Sequence, residues 1–192
     1  MGAKVVVGSL AMILGLFATS LCAAADEEQV KPPYGSKPGQ QLPLLIVDFT
    51  LGAHKGHCGC ISVMIRNAKA RAVVVAAREV DDQLLALSKS IDEIMPVGKD
   101  KSAQGFFVLF DEPKVSREQQ DKLAFKTLNF GKPRNGGTTW FSWVGLKRDS
   151  SVAIFFINQS KIEATWQFAS KGIDTAKQTD ITEAAKKFIE AK

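Results

Sequence analysis

Apolar residues change their spacing several times along this chain, and each change marks an element. Leu44-Leu45-Ile46-Val47-Asp48-Phe49 reads as a short strand. Residues 61–65 alternate as Ile-Ser-Val-Met-Ile, which predicts a second strand. Residues 72–77 are a continuous apolar run, the pattern of a strand buried on both faces. A turn near residues 67–71 would then pair 61–65 antiparallel with 72–77 and set Cys60 opposite Arg78. Asp81 opens a helix in which Leu84, Leu87, Ile91, Ile94 and Met95 recur at helical spacing, and Pro96 ends it. Residues 105–110 are another buried strand. Ser116 with Gln119 forms a capping box for a helix to about Lys126. A long irregular stretch follows, in which residues 131–137 read as a loop. Residues 152–157 and 162–168 form an antiparallel hairpin around a turn at 158–161, with Ile162, Ala164, Trp166 and Phe168 on one face. Asp180 with Glu183 caps a last helix, whose Ile181, Ala184, Ala185, Phe188 and Ile189 make one apolar face.

From Ala72 the order is β-α-β-α-β-β-α. The first strand, helix and strand form a parallel crossover, right-handed in nearly all proteins. Four features carry a resemblance: Cys58-Gly59-Cys60, the apolar run 73–77, Ala77-Arg78-Glu79 with Asp81-Asp82, and the hairpin over 152–168. The chain resembles secreted bacterial thioredoxin-like proteins over about residues 72–192. This implies an α/β fold, a thioredoxin-like three-layer sandwich, with an N-terminal extension. The domain reading is a signal peptide at 1–25, a flexible linker at 26–43, an extension with a His/Cys loop at 44–71, and the thioredoxin-like domain at 72–192. Redox-active thioredoxins carry C-x-x-C where the first core strand meets its helix. That position holds Arg78-Glu79-Val80-Asp81-Asp82 here, and no proline lies between Asn135 and Ser151 to supply the family's cis-proline. Ordinary thioredoxin catalysis at the usual site is excluded by residue content.

The amino terminus sets the expected compartment. Lys4 precedes a Gly- and Ser-interrupted apolar stretch that closes on Ala23-Ala24-Ala25 before Asp26-Glu27-Glu28, the anatomy of a cleaved export signal. The uninterrupted apolar part is shorter than the ~20 residues a membrane span needs. No later segment is apolar enough to span, so no integral membrane segment is expected after signal removal. The mature protein is expected in the periplasm or outside the cell. Loss of Lys4 lowers the net charge from +5 to +4. Basic residues are interleaved with acids, so a nucleic-acid partner is not expected.

The candidate chemistry lies in one loop. Both histidines, His54 and His57, and both cysteines left after signal removal, Cys58 and Cys60, fall within Ala53-His54-Lys55-Gly56-His57-Cys58-Gly59-Cys60. In an oxidising compartment the cysteines are expected to bridge. A ring that short is strained, and strain makes a disulfide exchange readily. That makes Cys58 and Cys60 a redox dithiol, with protein thiols or disulfides as partners, for a thiol–disulfide oxidoreductase needing no cofactor. The same four side chains suit copper or zinc, with His54, His57, Cys58 and Cys60 as ligands, although the spacing matches no strong structural-zinc pattern. The bridge as an inert staple in a non-catalytic thioredoxin-fold binding module is the third reading. Residues 131–137 lack the order of a phosphate loop. Asp81 and Asp82 are explained by helix capping, and Trp140 and Trp143 by packing.

Overall fold

A computed structural model describes residues 36–96, 102–110, 123–134, 151–169 and 172–191, all within the compact unit Pro32–Lys192. The signal at 1–25, residues 116–122 of the expected second helix, and Trp140 and Trp143 lie outside these residues.

Among the described residues, seven strands form one mixed sheet. They are β1 (Ile46–Leu51), β2 (Cys58–Cys60), β3 (Arg71–Ala77), β4 (Ala103–Leu109), β5 (Asn129–Pro133), β6 (Val152–Asn158) and β7 (Lys161–Phe168). The helices among the described residues are α1 (Ile61–Ala68), α2 (Asp82–Ile94) and α3 (Thr175–Glu190). The sheet order is β2-β1-β5-β4-β3-β6-β7. β3, β4 and β5 are parallel, and the remaining pairs are antiparallel.

The apolar run of β3 sits at the centre because both its faces are covered. Val73, Val75 and Ala77 pack with Leu87, Ile91, Ile181 and Phe188 of α2 and α3. Ala72, Val74 and Ala76 face the opposite layer, with Val47, Phe49 and α1 residues Ile61 and Ile65. This is the α/β, three-layer thioredoxin-like architecture. Asp81 caps α2, its carboxylate accepting the Leu84 N–H at 2.7 Å.

Several elements differ from the sequence pattern. Residues 61–65 are helical. In Ile-Ser-Val-Met-Ile the strand period places 61, 63 and 65 together, whereas the helical period groups 61, 64 and 65. Burial decides for the helix, because Ile61 and Ile65 are fully buried and Met64 packs beside them. Lys69 ends α1 in the left-handed region at φ 50°, where residues 67–71 were expected to form a hairpin turn. β3 accordingly pairs with β4 and β6 and not with 61–65.

The second difference is β5, from a stretch read as a loop. Gly131 permits it: a Cβ there would stand 2.4 Å from Val47 Cγ1 and 2.6 Å from the Asp48 carbonyl oxygen. Residues 123–128, expected to continue a helix to Lys126, are turns and irregular backbone. The last helix starts at Thr175, with the Asp174 carboxylate accepting the Lys177 N–H, so Asp180 and Glu183 lie inside it. Its polar first turns hide it from a reading based on apolar spacing. On β7, Ile162 joins the α1-side core, whereas Ala164, Trp166 and Phe168 pack on the other; a register shift between Phe156 and Ile157 separates them. The described part of the expected linker is docked. The Ser36 carbonyl accepts from Thr165 Oγ1, Gly39 and Gln40 exchange backbone bonds with Ile162, and Leu42 is buried.

One carboxylate holds the start of β5. Asp92 of α2 is only 8% exposed. It accepts the backbone N–H groups of Lys126, Thr127 and Leu128, each at 2.7 Å, and the Thr127 hydroxyl at 2.5 Å. Burial alone would push this carboxyl up, but the hydrogen bonds from the Thr127 side chain and the three N–H groups outweigh it and hold Asp92 below its ordinary value. A depressed folded-state value stabilises the fold above the ordinary carboxyl range, and that contribution is lost as pH falls through the folded value. Asp92→Asn puts an amide N–H where an acceptor is required, and is expected to cost about 2–3 kcal/mol at neutral pH. Urea unfolding at pH 7 and pH 3 checks this: the gap between wild type and variant should shrink at the lower pH.

Candidate functional site

The cysteines stand on β2, the edge strand, immediately before α1. In an extended strand, residues two apart share a face, so Cys58 and Cys60 lie on one side with Gly59 on the other. Gly59 faces α1, and a Cβ there would lie 2.7 Å from Met64 Sδ. Cys60 is also the N-cap residue of α1, with extended backbone and no side-chain capping bond. Both residues are unbridged thiols in the structure, Cys58 exposed and Cys60 partly covered.

Register brings further residues to the cysteine face. Asp48 of β1 is opposite Cys58 and Ile46 opposite Cys60. Asp48 is also opposite Lys132 of β5, and the Arg134 backbone N–H donates to the Ile46 carbonyl at 3.0 Å. The Arg134 guanidinium reaches back over β1, donating from Nη2 to Asp48 Oδ1 at 2.6 Å and from Nε to the same carboxylate at 3.0 and 3.2 Å. The Asp48 hydrogen bond, the Asp48 charge and then Cys58 all strengthen its hold on its proton. Arg134 thus faces Asp48 and Cys58 together. The sequence did not point to Arg134 or Asp48. The only local signal was a lone acid inside the apolar run at residues 44–49.

The cysteines are not next to Arg78. β1, β5 and β4 stand between β2 and β3, so four strand spacings amount to about 19 Å. The expected antiparallel approach of Cys60 to Arg78 is corrected by the helical state of residues 61–65. The two places do share an end of the sheet. Cys58 is level with Lys132 through Asp48, and Gly131 is level with Val108 and Ala76. Cys58 therefore lies near the height where β3 and β4 end. At the usual thioredoxin position, the Arg78 N–H donates to the Ser151 carbonyl and Asp81 caps α2.

His54 parts from the cysteines. Gly52 and Gly56, at φ 89° and 82°, turn the loop between β1 and β2. The His54 ring lies 5.6 Å from the Phe49 ring, and its backbone N–H donates to Asn129 Oδ1 at 3.3 Å, near the amino end of β5. His57 is exposed. Among the described residues, no group of three or more His, Cys, Asp or Glu side chains is placed to hold a metal ion. No helix among them is long and apolar enough to cross a membrane.

No family model and no curated protein matches the chain. Solved structures do match its fold. A peroxiredoxin-like protein from Aquifex aeolicus superposes with a TM-score of 0.54 at 13% identity, over 81% of this chain and 90% of that one. A thiol:disulfide interchange protein from Bacteroides sp. gives 0.55 at 10% identity, over 82% and 91%. A thiol peroxidase from Chromobacterium violaceum gives 0.51 at 10% identity, over 79% and 87%. At these identities the likeness establishes the thioredoxin-like fold.

Arg134→Ala removes the cation beside Cys58 and leaves Cys60 where it is. Iodoacetamide alkylation of Cys58, followed by peptide mass spectrometry, is expected to slow in this variant. Cys60 should change less, and Arg134→Lys should recover part of the rate. Equal slowing at both cysteines would mean that the whole edge had been disturbed.

Proposed function

We propose that this chain is a thiol–disulfide exchange protein whose reacting groups are Cys58 and Cys60. The observation that carries the reading is the pairing of two thiols on one face of β2, at a strand–helix junction, with the exposed one beside Arg134. The thioredoxin-like fold supports it, as do the activities of structural neighbours, a thiol:disulfide interchange protein and a thiol peroxidase. An export signal at residues 1–25 would place the reaction in the periplasm or outside the cell.

Cys58, exposed and facing a guanidinium, is the attacking thiolate. It displaces one sulfur of a partner's disulfide, forming a mixed disulfide and releasing one partner thiol. Cys60 then gives up its proton to solvent and attacks Cys58 Sγ, releasing the second partner thiol. The dithiol loses two electrons and the partner disulfide gains them. Closure is demanding, because residues two apart in an extended strand have Cα atoms roughly 6.6–7.2 Å apart, near the upper limit of about 6.8 Å for a bridge. β2 must bend to close it, and a strained bridge is readily given back.

A second reading is favoured by the distance of the pair from the usual junction: a non-catalytic binding module in which a Cys58–Cys60 bridge only pins the edge strand. Equilibration of the purified protein with glutathione separates the two. The exchange reading expects a potential less negative than about −300 mV and a mixed disulfide trapped by Cys60→Ser but not by Cys58→Ser. A more negative potential with no trapped species would leave the staple.

A further inference from the structure

β2 ends the sheet among the described residues, and its register fixes which backbone groups face outward. The Phe49 N–H donates to the His57 carbonyl at 2.9 Å, and the Ile61 N–H to the Leu45 carbonyl at 3.0 Å. Hydrogen-bonded and non-hydrogen-bonded pairs alternate along an antiparallel ladder. Gly59, opposite Val47, is the hydrogen-bonded position between these two, so Cys58 and Cys60 occupy the non-hydrogen-bonded ones. Their backbone groups point away from β1. The Cys60 carbonyl belongs to the first turn of α1, because Cys60 is its N-cap. The Cys58 N–H, the Cys58 carbonyl and the Cys60 N–H remain on the open side of the strand, where Cys58 is exposed. The residues that carry the two thiols therefore also carry the outward backbone groups. Ile46, opposite Cys60 and on the same face, is 46% exposed.

We propose that the partner's disulfide arrives in an extended segment that adds as a further strand antiparallel to β2, its cysteine directly opposite Cys58. This rests on Cys58 being the attacking thiol. The partner cysteine exchanges two backbone hydrogen bonds with Cys58, and the carbonyl two residues before it accepts the Cys60 N–H. Hydrogen-bonded partners in such a pair have Cα atoms about 5.5 Å apart, inside the range of about 4.4–6.8 Å that a disulfide spans. Opposite side chains share a face. Backbone pairing thus sets the two sulfurs within bonding reach. The side chain two residues before the partner cysteine stands opposite Cys60 and, when long and apolar, lies across it onto Ile46. Closing the Cys58–Cys60 bridge bends β2, takes its outward groups out of line and lets the partner segment go. The substrates so defined are disulfides in extended polypeptide; a small disulfide offers no strand to pair.

The test uses reduced protein carrying Cys60→Ser and a peptide whose one cysteine, two residues after a phenylalanine, is disulfide-bonded to thionitrobenzoate. The Cys58 thiolate attacks the peptide sulfur, and thionitrobenzoate leaves with the electron pair and is read by its absorbance. N-methylation of the peptide's cysteine removes the N–H that the Cys58 carbonyl accepts, and is expected to slow release about fivefold. N-methylation of the preceding residue, whose N–H points away from β2, should leave the rate unchanged. Exchanging the phenylalanine for serine should slow release about threefold, and Ile46→Ser should erase that difference. In the mixed disulfide with the peptide, amide hydrogen exchange at positions 58 and 60 should be at least about fivefold slower than in the mixed disulfide with N-acetylcysteine. Equal rates for the two N-methylated peptides, or amides left unprotected, would overturn strand addition and leave exchange at Cys58 standing. Indifference to the serine peptide would overturn the contact with Ile46. Release from neither the peptide nor the thionitrobenzoate disulfide of N-acetylcysteine would overturn the exchange reading itself, and the proposal with it.

Discussion

The carboxylate of Asp92 fixes where β5 begins, and the edge of the sheet follows from that. Three successive backbone N–H groups converge on it from residues 126–128, so the chain leaves α2's flank in one orientation and enters the sheet at Asn129. A buried carboxylate is tolerated only with such partners, which makes the arrangement demanding in both directions. Remove the acid and the three donors lose their acceptor; remove the donors and a buried charge is stranded. β5 is short, with only three residues paired to β4, and the anchoring at its start offsets that brevity.

With β5 in place, β1 cannot lie against β4, and the hairpin is carried one strand further out. That separates the cysteines from β3. The same strand delivers Arg134, because its last residues run beyond β4 and pair only with β1. A guanidinium thus arrives over Asp48 and Cys58 from a segment more than seventy residues later in the sequence. The ion pair is exposed, with side chains about half accessible, so its contribution to stability is small. Its consequence is positional: Asp48 holds the guanidinium on the cysteine side of the edge.

The central layers were legible because their signals are long and local. β3, α2 with its Asp81 cap, β4 and the β6–β7 hairpin each stand within a residue or two of the pattern. The edge was illegible for physical reasons. Residues 61–65 satisfy both periods, and only the core formed by Phe49, Val74 and Phe106 selects the helix. β5 contains Gly131, Lys132 and Pro133, which advertise a loop, and it is a strand because tertiary partners hold both its sides. The loop carrying His54, His57, Cys58 and Cys60 was singled out in the sequence for its residue types. Its geometry depended on that edge, so the separation of His54 from the cysteines and the arrival of Arg134 could not be read from it.

The Cys-Gly-Cys spacing itself has a structural origin distinct from that of a C-x-x-C pair. In C-x-x-C the cysteines occupy the first turn of a helix, where residues three apart share a face. Here they occupy a strand, where residues two apart share a face, and the helix begins only after the second. The residue between them must point to the other side, where α1 packs back onto β2 through Met64. A Cβ there would stand 2.7 Å from Met64 Sδ, so glycine lets that flexible side chain pack close without shifting, with no appeal to a tight bend. The same glycine also places little resistance in the way of bending, since it is the residue with the widest choice of backbone conformations. One position therefore answers two demands: close packing of the helix on the reduced strand, and the backbone freedom that closure of the two thiols would require.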